Sequence, residues 1–196
     1  FTTRSIGVMI MNHSDNKGLV LPPKVAQIQV VIIPIYNNKK IKPELIDNKC
    51  KEIEDKLKSK DMRTFIDDRA GKKPGYKFNE WELKGVPVRI EIGQRDIENN
   101  SVMVARRDER EEKKDSLVKT KVDVDDNFTK RIEDLLEDIH KNLYDRAVKA
   151  RDANIMTVET WNDFLKQIQN GKIVLGPHCN DDTCEDLIQV ETREYF

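Results

Sequence analysis

Apolar and polar positions follow one another along the chain in patterns that predict strands and helices in turn. The run over residues 27–35 (QIQVVIIPI) is β-branched and apolar, which is typical of a buried strand. In residues 44–60 the apolar positions recur at helical spacing among charges, and residues 63–68 (RTFIDD) predict a second strand. Strand, helix and strand joined by short links favour a right-handed crossover and a largely parallel sheet.

The middle of the chain predicts further elements of both kinds. Residues 76–84 favour a short helix, residues 101–105 a strand, and residues 126–151 the longest helix. Residues 86–93 alternate apolar and charged positions, so we expect a strand with one polar edge that faces solvent. Residues 106–115 carry five positive and five negative side chains, which indicates a solvated hairpin tip.

Two breaks in the pattern divide the chain into three parts. Residues 6–11 are nearly all apolar and predict a buried strand or the start of a helix; turn formers and two prolines follow, up to Pro23. After Asn154 the pattern resets to a short helix, a strand, a polar turn and a last helical piece. We therefore expect the segments 1–23, 24–153 and 154–196.

Composition excludes several classes of protein. The 196 residues carry a net charge of −1, so any contact with nucleic acid must be a local patch. The longest purely apolar run, 30–33, is far short of the ~20 residues that span a membrane. Three cysteines argue for a reducing compartment and against a disulfide scaffold. We expect a cytoplasmic protein without a secretory signal, and Phe1 in place of a methionine predicts a piece of a longer chain.

A mixed set of aromatic, acidic and basic residues is the first candidate site: Phe78, Glu82, Arg89, Arg95 and Asp96. Phe78 and Glu82 lie one helical turn apart, and Arg89 alternates out of the apolar face of its strand. Arginine reads guanine edges, a carboxylate accepts from base amino groups, and an aromatic ring stacks on an unpaired base. The alternative is a solvated salt-bridge cluster with Phe78 in the core.

Two smaller features point to anions and metals. Thr2-Thr3-Arg4 can hold a phosphate, or Arg4 can form an ordinary surface ion pair. Cys179 and Cys184 form a C-x₄-C pair that can bind zinc as thiolates, but a structural zinc site needs four ligands, so two unconnected cysteines are the alternative. No serine or cysteine nucleophile is placed in a catalytic pattern with a histidine, so we expect no catalytic triad. The pattern G-x-G does not occur, so we expect no Gly-rich phosphate loop.

Long strings in all three segments match the motifs of a known family. Residues 2–9 (TTRSIGVM) and 13–23 (HSDNKGLVLPP) resemble the end of motif 3 of prolyl-tRNA synthetases. Residues 67–69 (DDR) and 74–89 (PGYKFNEWELKGVPVR) look like the anticodon-binding domain of that family. The extra C-terminal domain of its eukaryote/archaeal-like branch is similar to residues 177–179 (PHC) and 184–186 (CED).

The resemblance implies an α/β fold with a mixed five-stranded sheet flanked by helices. It assigns residues 1–23 to the end of a class II catalytic domain, 24–153 to the anticodon-binding domain, and 154–196 to the start of a small α/β C-terminal domain of the zinc-binding kind. The intact protein would activate proline with ATP and Mg²⁺ as prolyl-adenylate and transfer it to tRNA(Pro), as a cytoplasmic homodimer. The segment alone is expected to be inactive, because motifs 1 and 2 are missing from it.

The resemblance also assigns roles to single residues. Arg4, with Thr2 and Thr3, matches the motif 3 positions at the ATP phosphates, where the arginine would stabilise charge as the carboxylate of proline attacks. Cys179 and Cys184 match half of a Zn²⁺ site. The mixed set matches the positions that read the two guanines of the proline anticodon: Phe78, Glu82, Arg89, Arg95 and Asp96.

A competing hypothesis is a free-standing module, derived from a synthetase, that binds tRNA or a partner without catalysis. Thr2-Thr3-Arg4 favours the enzyme, because a pure binding module has no use for a fragment of an ATP site. A fusion to another synthetase or to an editing domain is a third alternative, which these residues do not address.

Overall fold

The structure, a computed structural model, describes residues 2–36, 42–112 and 114–195. The chain divides into two compact units, Phe1–Tyr144 and Asp145–Phe196. The first unit contains α1 (Thr3–His13), β1 (Val30–Pro34), α2 (Pro43–Lys58), β2 (Thr64–Ile66), α3 (Pro74–Leu83), β3 (Val88–Ile92), α4 (Gln94–Glu98), β4 (Ser101–Glu111), β5 (Ser116–Asp123) and most of α5 (Phe128–Asp152). The second unit contains the end of α5, then β6 (Ile155–Thr157), α6 (Trp161–Gln169), β7 (Ile173–Leu175), α7 (Asp182–Thr192) and a 3₁₀ turn (Arg193–Tyr195).

The first unit is built on a mixed five-stranded sheet with the order β2-β1-β3-β4-β5. β2 and β3 run parallel to β1, whereas β4 is antiparallel to β3 and β5 to β4. The mixed sheet implied by the resemblance is therefore confirmed, and the parallel arrangement expected from the pattern holds only for β1, β2 and β3. The apolar run at 27–35 supplies the inner strand β1, because a strand that is covered on both faces needs apolar side chains on both.

Helices cover both faces of this sheet. Val30 and Ile32 of β1 belong to the larger apolar cluster, which includes the buried stripes of α2 and α5. Val31 and Ile33 point to the other face and pack with Trp81 of α3. These four side chains of β1 are fully buried. Because side chains alternate along a strand, Val31 and Ile33 hold α3 against the second face of the sheet.

Three local expectations from the sequence are wrong in whole or in part. β3 has no solvent-facing edge, because Arg89 and Glu91 are only 5% and 6% exposed and pair with each other. The stretch 106–115 is not a solvated tip, because β4 extends into it and Arg107 is buried. Residues 6–11 belong to helix α1, so the helical alternative is confirmed, but the expected burial is wrong because α1 has no buried residue. In each case the local pattern showed the polarity of the residues but not what covers or pairs with them.

The second unit holds a small two-stranded sheet. β6 and β7 pair in parallel, with Ile155 opposite Ile173 and Thr157 opposite Leu175. On α6, the rings of Trp161 and Phe164 stack with 5.1 Å between their centroids. In neither unit does any helix within the described ranges have the length and apolar character that crossing a membrane requires.

Candidate nucleic-acid interface

Helix α3 and strands β3 and β5 bring an aromatic ring, two cations and a carboxylate together. The Arg89 guanidinium lies 4.3 Å from the centroid of the Phe78 ring, and the Lys119 ammonium lies 5.3 Å from it. Arg89 Nε donates to Glu91 Oε1 at 3.0 Å, and Lys119 Nζ donates to Glu91 Oε2 at 2.9 Å. Two cations stand against one carboxylate, so the local charge favours an anionic ligand.

The local sequence explains why these side chains meet. Alternation along β3 places Arg89 and Glu91 on the face opposite to the larger apolar cluster. Trp81 of α3 is buried on that same face, and Phe78, three positions earlier, packs beside it over Arg89. The buried charges of β3 are tolerated because they neutralise each other, since an unpaired buried charge is costly.

Glu82 lies one helical turn after Phe78 and forms an ion pair with Arg110 of β4. Glu82 and Arg89 also line the same narrow cavity between α3 and the sheet, together with Arg107. The structure thus brings three of the predicted base-reading residues, Phe78, Glu82 and Arg89, into one region, which we call the α3–β3 cluster.

The other two predicted base-reading residues lie beyond the end of β3, on helix α4. The Gly93 N–H donates to Asp96 Oδ2 at 2.8 Å, so Asp96 caps the helix. Arg95 is exposed, and no described residue accepts a hydrogen bond from its side chain. Arg89 lies in β3 and Arg95 in α4, so different elements carry the two arginines.

A buried network joins α3 to Asp67, the residue that follows β2. Asp67 is 0% exposed and accepts hydrogen bonds from Arg69 Nε at 2.8 Å and from Trp81 Nε1 at 2.7 Å. Lys77 Nζ, also buried, donates to the Asp67 carbonyl oxygen at 2.8 Å. Burial raises the pKa of Asp67, but the bonds from Arg69 and Trp81 and the charge of Lys77 outweigh it and lower that pKa to about 2. The network fixes the position of the helix that carries Phe78 and Glu82.

The predicted ATP-contacting residues lie at the start of α1. Thr2 is the N-cap residue and makes no side-chain capping bond, and Thr3 opens the helix. Arg4 is exposed and forms no ion pair with a described residue, so the alternative of an ordinary surface ion pair finds no partner in the described part of the chain. The role of these three residues at ATP stays a prediction.

The two cysteines of the predicted half zinc site lie in contact. The backbone of Asp181 and the neighbouring Cys184 lower the pKa of Cys179, whereas Cys179 raises the pKa of Cys184. They line a cavity of about 560 Å³ with Trp161 and Phe164. Over the described ranges, no group of three or more His, Cys, Asp or Glu residues is placed to hold a metal ion. The residues present therefore do not complete a zinc or magnesium site, and zinc binding by this pair stays a prediction.

Sequence reasoning missed four charged residues of the region: Glu91, Arg107, Arg110 and Lys119. Glu91 follows Arg89 by two positions, so strand alternation was a usable signal for it. Lys119 lies on β5, a strand that the pattern did not predict. Arg107 and Arg110 lie in the stretch interpreted as a solvated tip.

Comparisons with known proteins agree with this geometry. The family model described as "Anticodon binding domain" matches residues 29–130, which include α3, β3 and β4. A proline–tRNA ligase of Alkaliphilus oremlandii is 45% identical over 193 residues, which cover 97% of this chain and 37% of that protein. A cytoplasmic proline–tRNA ligase of Arabidopsis thaliana is 39% identical over 194 residues, 98% of this chain and 35% of that protein. The chain thus spans little more than a third of the length of these curated relatives.

A solved structure is also similar to this chain over almost the whole length of the chain. The crystal structure of prolyl-tRNA synthetase from Cryptosporidium parvum, complexed with L-proline and AMP, matches with a TM-score of 0.86 and 42% identity. The match covers 98% of this chain and 39% of that one. The resemblance stated from the motifs is confirmed: this chain belongs to the anticodon-binding domain family, and over almost its whole length it is similar to part of prolyl-tRNA synthetases.

Proposed function

We propose that the α3–β3 cluster reads the guanines of the proline anticodon, and that Arg95 and Asp96 extend this site along the loop. The observation that carries the proposal is the convergence of a ring (Phe78), a carboxylate (Glu82) and a guanidinium (Arg89) at one region of the sheet. These groups supply a stacking surface, an acceptor for base amino groups and a donor for guanine O6 and N7.

Arg89 needs room before it can touch a base. Its Nε and Nη2 both bind Glu91, so Nη1 is the nitrogen left for a ligand, and the residue is only 5% exposed. Lys119 is the more exposed neighbour, and it shares both Glu91 and the Phe78 ring with Arg89. We infer that Lys119 swings toward a phosphate when a base enters, because an ammonium on a flexible stem exchanges partners more easily than a buried guanidinium.

For the intact protein we propose the proline–tRNA ligase reaction, in which proline and ATP form prolyl-adenylate before transfer to tRNA(Pro). The matched relatives bear that name, and the matched C. parvum structure holds L-proline and AMP. Arg4 would stabilise negative charge on the ATP phosphates, with Thr2 and Thr3 beside it, and Mg²⁺ would neutralise phosphate charge. We also propose a cytoplasmic homodimer. The free-standing binding module is the weaker candidate, because the matched relatives bear the name of the ligase.

We keep the three-part organisation as a proposal. Residues 1–23 would be the end of a class II catalytic domain, 24–153 the anticodon-binding domain and 154–196 the start of the small C-terminal domain. The family match at 29–130 lies inside the middle segment. The division into compact units falls within α5, nine residues before the proposed boundary at 153.

A titration with two anticodon stem-loops tests the base-reading proposal. One stem-loop carries the GG of the proline anticodon, and the other has both guanines replaced; both are titrated with the chain at several salt concentrations. We expect a preference for GG that persists as salt rises, while overall affinity falls through loss of phosphate contacts. Equal binding of the two stem-loops at every salt concentration would overturn the proposal.

A further inference from the structure

A carboxylate from outside the α/β sheet domain reaches the end of α3. Asp15 lies two residues after α1, in a segment that the family match at 29–130 does not include. Arg107 Nη1 and Nη2 donate to its two oxygens, each at 2.7 Å. Arg107 is 2% exposed, and its Nε also donates to the carbonyl oxygen of Glu82 at 3.0 Å. One buried guanidinium therefore joins Asp15 to the backbone of the residue proposed to read a base.

A second arginine joins Asp15 to the Glu82 side chain. Arg110 Nε donates to Asp15 Oδ2 at 3.3 Å, Nη1 donates to the Asp115 carbonyl oxygen at 2.7 Å, and Nη2 donates to Glu82 Oε1. Burial lowers the pKa of Arg110, but Glu82 and Asp15 raise it by more, so the guanidinium stays charged. Arg110 is thus held on three sides, and its orientation sets that of the Glu82 carboxylate.

The backbone that follows Asp15 packs closely against the last turn of α3. The Leu19 N–H donates to the Leu83 carbonyl at 3.0 Å, and a Cβ at Gly18 (φ +135°) would lie 2.6 Å from the Leu83 backbone. A Cβ at Gly85 (φ +73°) would likewise lie 2.6 Å from Leu19. Only glycine allows so close an approach. Asp15 is therefore carried by a segment that cannot shift freely relative to α3.

We propose that Asp15 is a positioning residue for anticodon reading, acting through Arg110 on the Glu82 carboxylate. This inference rests on the proposed function, because it concerns how Glu82 meets a guanine. Arg110 occupies Oε1, and no described residue bonds Oε2, which is therefore open to the N–H groups of a guanine. A carboxylate held in one orientation discriminates better than a freely rotating one, because less ordering is left for the moment of binding.

Charge balance supports the same assignment. Asp15, Glu82 and Asp115 carry three negative charges, and Arg107, Arg110 and Lys17 carry three positive ones. If Asp15 is neutralised, Arg107 loses its carboxylate partner, and three cations face the carboxylates of Glu82 and Asp115. Both oxygens of Glu82 then attract an arginine, and a base must compete with a protein donor for Oε2.

The test compares Asp15→Asn, Arg110→Gln and the double variant of the chain in titrations with the GG and the guanine-replaced stem-loops. We expect each single variant to lower the GG preference at least roughly fivefold, the lower end for one lost base contact. The double variant should lose no more than Arg110→Gln alone, because Asp15 acts through Arg110. Asp125→Asn is the matched control, since Asp125 pairs with Arg131 and not with Arg110, and it should keep the full preference.

The outcomes separate this inference from the proposed function. A GG preference in the unaltered chain that survives Arg110→Gln unchanged would overturn the inference and leave the proposed function standing. Strictly additive losses in the double variant would overturn the route through Arg110. No preference in the unaltered chain would overturn both. If Asp15→Asn does not fold, Arg110→Gln and Arg110→Lys decide, because both leave the buried Asp15–Arg107 pair in place.

Discussion

The substitution Asp67→Asn tests whether the buried network that joins α3 to Asp67 holds that helix in place. The pKa of Asp67 falls from its usual 3.8 to about 2 in the folded chain. Each pKa unit corresponds to about 1.4 kcal/mol, so ionised Asp67 contributes roughly 2–3 kcal/mol to folding at neutral pH. The amide of asparagine adds a further cost. Its NH₂ group replaces one carboxylate oxygen, so a buried donor such as the Trp81 N–H is left without an acceptor, which costs about 1–3 kcal/mol. We expect a total loss of about 3–6 kcal/mol, which overlaps the range of about 3–5 kcal/mol for a broken buried ion pair.

The pH dependence of this loss has a definite sign. Because the folded-state pKa of Asp67 is lowered, its contribution is complete above the unfolded pKa near 3.8 and disappears as pH falls through about 2. The free energies of unfolding of the unaltered and variant chains should therefore converge by roughly 2–3 kcal/mol between about pH 5 and about pH 2. Other carboxylates titrate in the same range, but they contribute equally to both chains and cancel in the difference.

The assay is urea unfolding followed by tryptophan fluorescence. The chain has two tryptophans, and Trp161 belongs to the second unit, so Trp161→Phe is introduced in every chain to leave Trp81 as the reporter. Asp68→Asn is the matched control, because Asp68 is the exposed neighbour of Asp67. A loss below about 1 kcal/mol for Asp67→Asn, or a loss of equal size at both ends of the pH range, would refute this account of the network.

Three further predictions concern reading and rigidity. Glu82→Gln should reduce the preference for the GG stem-loop in the titration, whereas Glu80→Gln on the same helix should not; equal effects would contradict a base-reading role for Glu82. Phe78→Ala should weaken binding of both stem-loops by about 1–3 kcal/mol through lost stacking, measured against Phe78→Tyr, which keeps a ring. Gly85→Ala should lower the thermal unfolding midpoint, because its φ is +73° and Leu19 lies 2.6 Å from the new Cβ. Gly75→Ala, with nothing within 4 Å, should not lower it.

The sequence predicted the elements whose patterns are local. The run at 27–35 became β1, and the stripe at 44–60 became α2, because burial on a sheet and on a helix selects apolar residues at periods that can be counted. β5 was missed, since Lys119 and Lys121 stand at positions where an apolar alternation that includes Leu117 would need apolar residues. A strand at the edge of a sheet needs fewer apolar residues, so its pattern is weaker.

The charged residues of the site were harder to predict for a different reason. Phe78 and Glu82 could be placed on one helix face because their spacing is four residues. Arg107 could not be placed, because its partner Asp15 lies 92 positions away, and no local pattern reports such a pair. A stretch with equal numbers of positive and negative side chains is compatible with solvation or with buried pairing. Only the position of the oppositely charged partner in the fold shows whether such a side chain is solvated or buried in a pair.

Buried charged groups hold helix α3, which carries Phe78 and Glu82. Lys77 donates to the Asp67 carbonyl near the start of the helix, and the Asp67 carboxylate accepts from Trp81 near its end. Arg107 donates to the carbonyl of Glu82 in the last turn. Apolar residues of similar volume would often stabilise a fold as well as buried ion pairs do, so stability alone does not account for charge at both ends. Directional bonds do what apolar packing cannot, because they fix the rotation of the helix as well as its distance from the sheet. Under the proposed function, discrimination between bases depends on that rotation, since it decides whether Glu82 presents an oxygen to a guanine N–H.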